Sequence, residues 1–75
     1  PGFTDTELVA ESLARIVATT GRSEDEARAE LVRHNPQGRL VRPEEVAEAV
    51  LALCLPGAGA LNGQAIAVDG GETAA

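Results

Sequence analysis

The sequence has few of the residues that stabilise small domains through cross-links or metals. It contains one cysteine, Cys54, and one histidine, His34. A single cysteine excludes a disulfide within the chain, and this pair falls short of the four ligands of a structural zinc site, so no metal site is predicted. Because a chain of 75 residues buries only about 60% of its unfolded surface, we expect its stability to depend on association.

Lysine, tyrosine, tryptophan and methionine are absent, and all six basic residues are arginine. The net charge is −6, which argues against a nucleic-acid-binding protein because that function needs a basic face. The longest apolar run, residues 49–55, is far shorter than a membrane span, and no signal segment opens the chain. The sequence therefore predicts a cytoplasmic protein without nucleic-acid or membrane partners.

Apolar spacing and capping residues predict three helices. Thr6 can cap the first helix. Apolar residues recur at helical spacing along this helix, and Gly21 is its predicted end. Residues 23–26, SEDE, form a capping box for a second helix, which we expect to close at Asn35 before a proline. Pro43 suits the first position of a third helix. The apolar stripe of that helix consists of Val46, Ala49, Val50, Leu53 and Cys54.

The closing segment, LNGQAIAVDGG at residues 61–71, predicts a strand at residues 65–68. Its small apolar residues are typical of a strand covered by helices on both faces, and the glycines after Asp69 predict a turn. A strand needs a hydrogen-bonded neighbour, and the pattern predicts none elsewhere in the chain. The order helix, helix, helix, strand indicates the last part of an α/β fold whose remaining sheet lies outside this sequence.

Three motifs follow one another at residues 1–6 (PGFTDT), 38–54 (GRLVRPEEVAEAVLALC) and 61–71 (LNGQAIAVDGG). Each is a weak signal alone. Together, in this order and spacing, they resemble the C-terminal part of the short-chain dehydrogenase/reductases, over essentially the whole chain. The resemblance implies a Rossmann-type doubly wound parallel sheet that binds NAD or NADP. It also implies hydride transfer to or from a carbonyl carbon.

The same resemblance identifies parts that this chain lacks. The family's phosphate-binding glycine loop is not found, and its catalytic serine, tyrosine and lysine set has no counterpart because tyrosine and lysine are absent. We therefore expect a C-terminal fragment without catalytic residues, inactive alone, whose partner is the N-terminal part of the same domain. A non-catalytic assembly or binding module derived from this fold is the alternative. The missing residues favour that alternative for the chain alone, whereas the intact PGFTDT motif favours an enzyme for the parent protein.

By this resemblance, residues 1–6 form the turn on the nicotinamide side of the cofactor. Pro1 and Gly2 match the turn itself, where glycine allows the backbone to approach a ligand closely. The main chain of Thr4 matches the position that hydrogen-bonds the carboxamide. The hydroxyl of Thr6 matches a threonine that meets the carboxamide or a phosphate, and a plain helix cap is the alternative role.

Residues 7–35 match the mobile helix pair that covers the substrate pocket. Their length resembles that of 3-hydroxybutyrate and 3-hydroxyacyl dehydrogenases, whereas residues 56–68 lean toward 3-oxoacyl and polyketide-type ketoreductases. A small-molecule carbonyl or alcohol is the implied substrate. Ser12 replaces a glutamine that binds the carboxylate in hydroxybutyrate enzymes, which disfavours a small free hydroxy acid. Val9 and Leu13 are candidates for the pocket lining, with ordinary core packing as the more frequent alternative.

Two segments match the elements that form the family's subunit interface. Residues 43–55 match the interface helix, and residues 64–71 match the last strand and its turn. The resemblance implies a homodimer or homotetramer in which these elements meet their copies across a two-fold axis. We expect Cys54 to be a buried small hydrophobe on the helix stripe. Arg39 and Arg42 flank the acidic start of this helix, and we expect them to form surface or interface ion pairs.

Overall fold

The computed structural model describes residues 1–74, which form three α-helices and two short 3₁₀ helices. The helices are α1 at Glu7–Thr20, α2 at Glu24–Val32 and α3 at Pro43–Cys54. The 3₁₀ helices lie at Pro56–Ala58 and Glu72–Ala74. The three predicted helices are confirmed, although α2 ends earlier than the proline signal indicated.

Local capping chemistry sets the ends of α1 and α2. Gly21 adopts a left-handed conformation with φ of 71°, and its N–H donates to the carbonyl of Val17. Ser23 and Glu26 form the predicted capping box: the Glu26 N–H donates to Ser23 Oγ at 3.1 Å, and the Ser23 N–H donates to Glu26 Oε1 at 3.3 Å. These contacts satisfy donors and acceptors that helix ends leave unpaired.

The core lies between α1 and α2 and is closed by the segment that follows α2. Each helix contributes the apolar side chains of the face that it turns toward the other helix, and Leu40 packs into the same cluster. The buried members are Val9, Leu13, Ala27, Val32 and Leu40, with Ile16, Val17 and Leu31 packed against them. The helix pair therefore has an apolar centre of its own, independent of α3.

The segment before α1 runs beside the segment before α3. Val41 donates its N–H to the carbonyl of Phe3 at 3.0 Å and accepts the N–H of Asp5 at 2.8 Å. These two bonds form an isolated parallel bridge between Thr4 and Val41. The bridge places the PGFTDT motif against the loop that leads into α3.

The predicted strand at residues 65–68 does not form within residues 1–74, which contain no strand beyond that single bridge. A β-ladder requires repeated bonds to an adjacent strand. Here Val68 provides one contact, accepting the N–H of Gly2 at 3.1 Å. The helix-helix-helix-strand order is therefore corrected to three helices followed by an irregular segment, for want of a neighbouring strand.

Helix α3 packs differently from the other two, because none of its residues is buried in the described chain. Cys54, expected inside, is exposed. The radius of gyration is 15.1 Å, against about 11 Å for a compact domain of this length. Hence α3 and the tail project from the α1–α2 core with an uncovered apolar face. No helix within residues 1–74 has the length and hydropathy needed to cross a membrane.

Candidate functional site

The turn at Pro1 and Gly2 is held at both of the Gly2 backbone groups. The Gly2 N–H donates to the Val68 carbonyl at 3.1 Å, and the Thr4 hydroxyl donates to the Gly2 carbonyl at 2.9 Å. A Cβ added to Gly2 would lie 2.9 Å from the Cβ of Asp69. Glycine is thus needed here to accommodate the C-terminal tail, a reason that no local pattern around residues 1–6 revealed.

Thr4 presents its own backbone groups away from the bridge that holds it. In that bridge Val41 bonds to the carbonyl of Phe3 and the N–H of Asp5, the two neighbours of Thr4. Within residues 1–74 the Thr4 N–H and carbonyl have no hydrogen-bond partner, while the buried Val41 anchors the segment from the other side. The bridge therefore fixes the Thr4 segment against Val41 and leaves the two main-chain polar groups of Thr4 on the opposite side.

Thr6 occupies the N-cap position of α1 with extended backbone angles, φ −129° and ψ 173°. Its carbonyl accepts the N–H of Ala10 at 3.0 Å. Its hydroxyl makes no capping bond within the described chain, and the residue is exposed. Of the two roles expected for Thr6, side-chain capping is therefore not formed in the described chain, and contact with a cofactor stays a prediction.

An open groove of about 300 Å³ runs along the start of the chain. Pro1, Gly2 and Phe3 form one side of this groove, and Glu72 of the tail lies on the other. The groove is shallow and open, and its lining includes the chain's single aromatic side chain, Phe3, which is 51% exposed. Of the four predicted cofactor-side residues, Pro1 and Gly2 line this groove, whereas Thr4 and Thr6 lie outside its lining.

The three predicted substrate-pocket residues on α1 are separated by the structure. Val9 and Leu13 face α2 and are 9% and 3% exposed. Ser12 lies on the exposed side, where its hydroxyl donates to the Leu8 carbonyl at 3.1 Å. For Val9 and Leu13 the structure favours core packing, the alternative that the sequence had left open.

A second groove, of about 380 Å³, lies between α3 and the irregular tail. Its walls are almost entirely apolar. Its lining residues are Pro1, Val46, Ala49, Val50, Ala52, Leu53, Ile66 and Val68. The stripe predicted for α3 and the predicted last strand therefore form one continuous apolar surface, which is exposed in the isolated chain.

Asp69 is the one buried charged residue among residues 1–74, at 7% exposed. Its carboxylate accepts the N–H of Gly71 at 3.0 Å and, from Thr73, both the N–H at 3.2 Å and the hydroxyl at 2.7 Å. The Thr73 hydroxyl, followed by these N–H groups, lowers the pKa of Asp69 below its usual value. The predicted turn is confirmed, but its burial and its bonds to Thr73 were not predicted.

The predicted arginine ion pairs form at the start of α3. Arg39 donates two hydrogen bonds to Glu45, at 2.7 and 3.0 Å, and Arg42 Nε lies 3.4 Å from Glu45 Oε1. The Arg39 side chain and the Arg42 N–H, in that order of importance, lower the pKa of Glu45 to about 2. This network secures the loop between the α1–α2 core and α3. No cluster of three potential metal ligands occurs in the part of the chain described.

Comparison with known proteins gives matches along the whole chain. Residues 1–73 match the family profile described as Enoyl-(Acyl carrier protein) reductase. The chain is 43% identical to cis-4-hydroxycyclohexanecarboxylate dehydrogenase of Sinomonas cyclohexanicum, a match that covers 99% of this chain and 25% of that protein. It is 42% identical to a tropinone reductase homolog of Arabidopsis thaliana, over 97% of this chain and 24% of that protein.

Among solved structures, the chain superposes on a short chain dehydrogenase family protein from Francisella tularensis subsp. tularensis SCHU S4. The TM-score is 0.90 at 33% sequence identity, and the match covers 100% of this chain and 31% of that one. The chain therefore belongs to the short-chain dehydrogenase/reductase family, whose fold is Rossmann-like. It spans about a quarter of the length of the curated relatives that it matches.

Proposed function

We propose that the protein containing this chain is an NAD(P)-dependent oxidoreductase that interconverts a hydroxyl and a carbonyl group. The supporting observation is the PGFTDT segment, in which the bridge to Val41 holds Thr4 and the Thr6 hydroxyl is exposed without a capping bond in the described chain. The names of the two curated relatives, a dehydrogenase and a reductase homolog, describe the two directions of such a reaction.

The segment at residues 1–6 fits the nicotinamide end of a cofactor. A carboxamide needs a hydrogen-bond partner at each of its polar atoms, and the Thr4 main chain and the Thr6 hydroxyl offer such partners, next to the first groove in sequence but outside its lining. When bound, the cofactor supplies or accepts the hydride. Gly2, Thr4 and Thr6 bind and orient its nicotinamide end. The proton donor lies elsewhere in the protein, since this sequence holds neither tyrosine nor lysine.

We assign the α1–α2 pair to the substrate side, as a lid over the pocket, and a 3-hydroxyacyl or 3-oxoacyl compound as the substrate. The pair has its own apolar core, so it can move as a unit while its internal packing stays intact. Its exposed Ser12 presents no cationic or amide group to a free carboxylate. A thioester-linked acyl group, which carries no carboxylate, is therefore the better match.

The apolar groove of α3 and the tail supports assembly into a homodimer or homotetramer. Val50, Leu53 and Ile66 are 57%, 45% and 53% exposed in the single chain, and apolar surface of this kind needs a cover, which the rest of the domain supplies on the strand side and a second copy on the α3 side. A symmetric contact would pair the surface with its own copy. The alternative, a non-catalytic assembly module, rests on this surface together with the absence of tyrosine and lysine.

The test is turnover by the whole protein with NADH or NADPH and a panel of 3-oxoacyl thioesters and cyclic ketones, followed at the absorbance of the reduced nicotinamide. We expect oxidation of one cofactor that depends on the carbonyl substrate. Absence of both turnover and cofactor binding would favour the non-catalytic module. Turnover with cyclic ketones alone would keep the reaction and reject the acyl substrate.

A further inference from the structure

The C-terminal turn contacts two segments that are far apart in sequence. On one side Asp69 packs against Gly2, so closely that Gly2 has no room for a Cβ. On the other side Gly70 packs against Asn35, where an added Cβ would overlap the side-chain amide. The turn at residues 69–71 therefore packs between two segments: the proposed cofactor-side turn at Gly2 and the loop after α2 at Asn35.

The contacted side of each segment is itself held by hydrogen bonds. Asn35 donates its amide to the carbonyl of Arg39 at 3.0 Å and accepts the N–H of Gln37 at 2.8 Å. Gly2 is bonded through both backbone groups, to Val68 and to Thr4. Neither neighbour can yield freely to a displacement of the turn, so such a displacement must be transmitted to both.

The shape of the turn depends on Asp69 and Thr73. Gly70 and Gly71 have φ of 67° and 95°, conformations that glycine adopts without the cost that a side chain imposes. Glycine also moves between conformations readily, so the backbone alone does not hold this shape. The Asp69 carboxylate, with bonds to Gly71 and Thr73, closes the turn from inside.

We propose that Asp69 is a positioning residue for cofactor binding, which acts through the turn closed by Thr73 on the backbone of Gly2. Because the same turn abuts Asn35, it also sets the end of the α1–α2 pair relative to the cofactor-side turn. Loss of the Thr73 hydroxyl leaves the carboxylate with fewer donors and loosens the turn. Gly2 then loses the surface that it packs against, and cofactor affinity falls.

The test compares Thr73→Val with Thr73→Ser in the whole protein, since valine keeps the shape and loses the hydroxyl whereas serine keeps the hydroxyl. Amide hydrogen exchange by NMR is the first readout and needs no cofactor. In Thr73→Val we expect exchange about fivefold faster at Gly2 and Gln37, the scale of one lost hydrogen bond. Serine should restore the exchange rates of the unmodified protein.

The second readout is the dissociation constant of NADH or NADPH, which rests on the proposed function. We expect Thr73→Val to raise it about threefold or more, and Thr73→Ser to leave it within error. Gly2→Ala tests the contact from the opposite side: its Cβ must displace Asp69, so the amides of Gly71 and Thr73 should exchange faster.

Faster exchange confined to Gly71 and Thr73 in Thr73→Val would overturn the proposal, because the turn would then act on nothing beyond itself. Faster exchange at Gly2 with an unchanged cofactor dissociation constant would overturn the positioning role. If the unmodified protein binds neither NADH nor NADPH, the proposed function fails. In that case the exchange pattern alone supports or overturns the link between the turn, Gly2 and Asn35.

Discussion

Arg39 donates two parallel hydrogen bonds to the Glu45 carboxylate, of 2.7 and 3.0 Å, across the loop that leads into α3. Glu45 also accepts the N–H of Arg42 at 2.9 Å. One carboxylate thereby joins the loop after α2 to the first turn of α3. A bidentate arginine pair has fixed geometry, so this contact restrains the loop relative to the first turn of α3.

The Arg39 pair predicts a pH dependence of stability. Bonds from Arg39 and from the Arg42 N–H lower the folded-state pKa of Glu45 from its usual 4.5 to about 2. A lowered carboxyl pKa stabilises the folded state fully above pH 4.5, and this stabilisation is lost as pH falls toward 2. Glu45→Gln in the whole protein should lower the melting temperature at pH 7, and the difference from the unmodified protein should shrink below pH 4.5.

Glu48→Gln is the matched control, since Glu48 is an exposed carboxylate on the same helix. It should change the melting temperature less than Glu45→Gln does at pH 7. A deficit for Glu45→Gln that stays constant from pH 7 to pH 3 would contradict the assignment of the effect to ionised Glu45.

Thr6→Val should weaken cofactor binding by the whole protein. The hydroxyl is exposed and makes no capping bond in the described chain, so its removal costs the α1 N-terminus little. One neutral hydrogen bond contributes about 0.5–1.5 kcal/mol, which corresponds to a rise of about two- to tenfold in the dissociation constant. Titration of NADH or NADPH fluorescence measures it, with Thr6→Ser as the control that retains the hydroxyl. An unchanged affinity with a lowered melting temperature would restore the plain capping role.

Leu13→Ala separates core packing from pocket lining. Leu13 is 3% exposed between α1 and α2, and truncation of a buried leucine costs about 2–5 kcal/mol. Urea unfolding of the whole protein should show this loss, with the KM for the carbonyl substrate changed by less than about twofold. Leu8→Ala is the control, because Leu8 is 75% exposed on the same helix. A raised KM with unchanged unfolding would instead place Leu13 in the pocket.

Val50→Asp should break the proposed assembly. Val50 lies in the middle of the apolar groove and is 57% exposed in the single chain, so a charge there must be buried or must separate the subunits. Light scattering after size exclusion should show a smaller species than for the unmodified whole protein. Leu8→Asp introduces the same charge outside the groove and should leave the mass unchanged. An oligomer that survives Val50→Asp would show that α3 lies outside the interface.

The 75-residue chain by itself should catalyse no oxidation of NADH or NADPH with 3-oxoacyl substrates, because it contains no tyrosine or lysine. It should also be oligomeric or poorly folded, since α3 buries none of its residues among residues 1–74. Spectrophotometric assay, light scattering and circular dichroism on one purified peak test both expectations. A rate above the buffer control, or a cooperative monomer, would contradict the corresponding expectation.

Features whose causes are local in sequence were predictable from the sequence. The capping box of Ser23 and Glu26, the stop at Gly21 and the proline start of α3 each depend on neighbours within one helical turn. The turn at Asp69 belongs with them, because an aspartate followed by two glycines is a local turn signal, although its bonds to Thr73 were not predicted. The three family motifs could be recognised in the sequence for the same reason, since each lies within one contiguous segment.

Tertiary structure alone decided the features that depend on distant partners. The strand at residues 65–68 is absent because pairing requires a second strand, and the exposure of Cys54 follows because nothing in residues 1–74 packs over α3. The contact between Asp69 and Gly2 joins opposite ends of the chain. Sequence therefore determined where the three helices begin and where α1 ends, whereas packing determined which residues meet. Burial and pairing depend on contacts between distant segments, and local propensity does not encode those contacts.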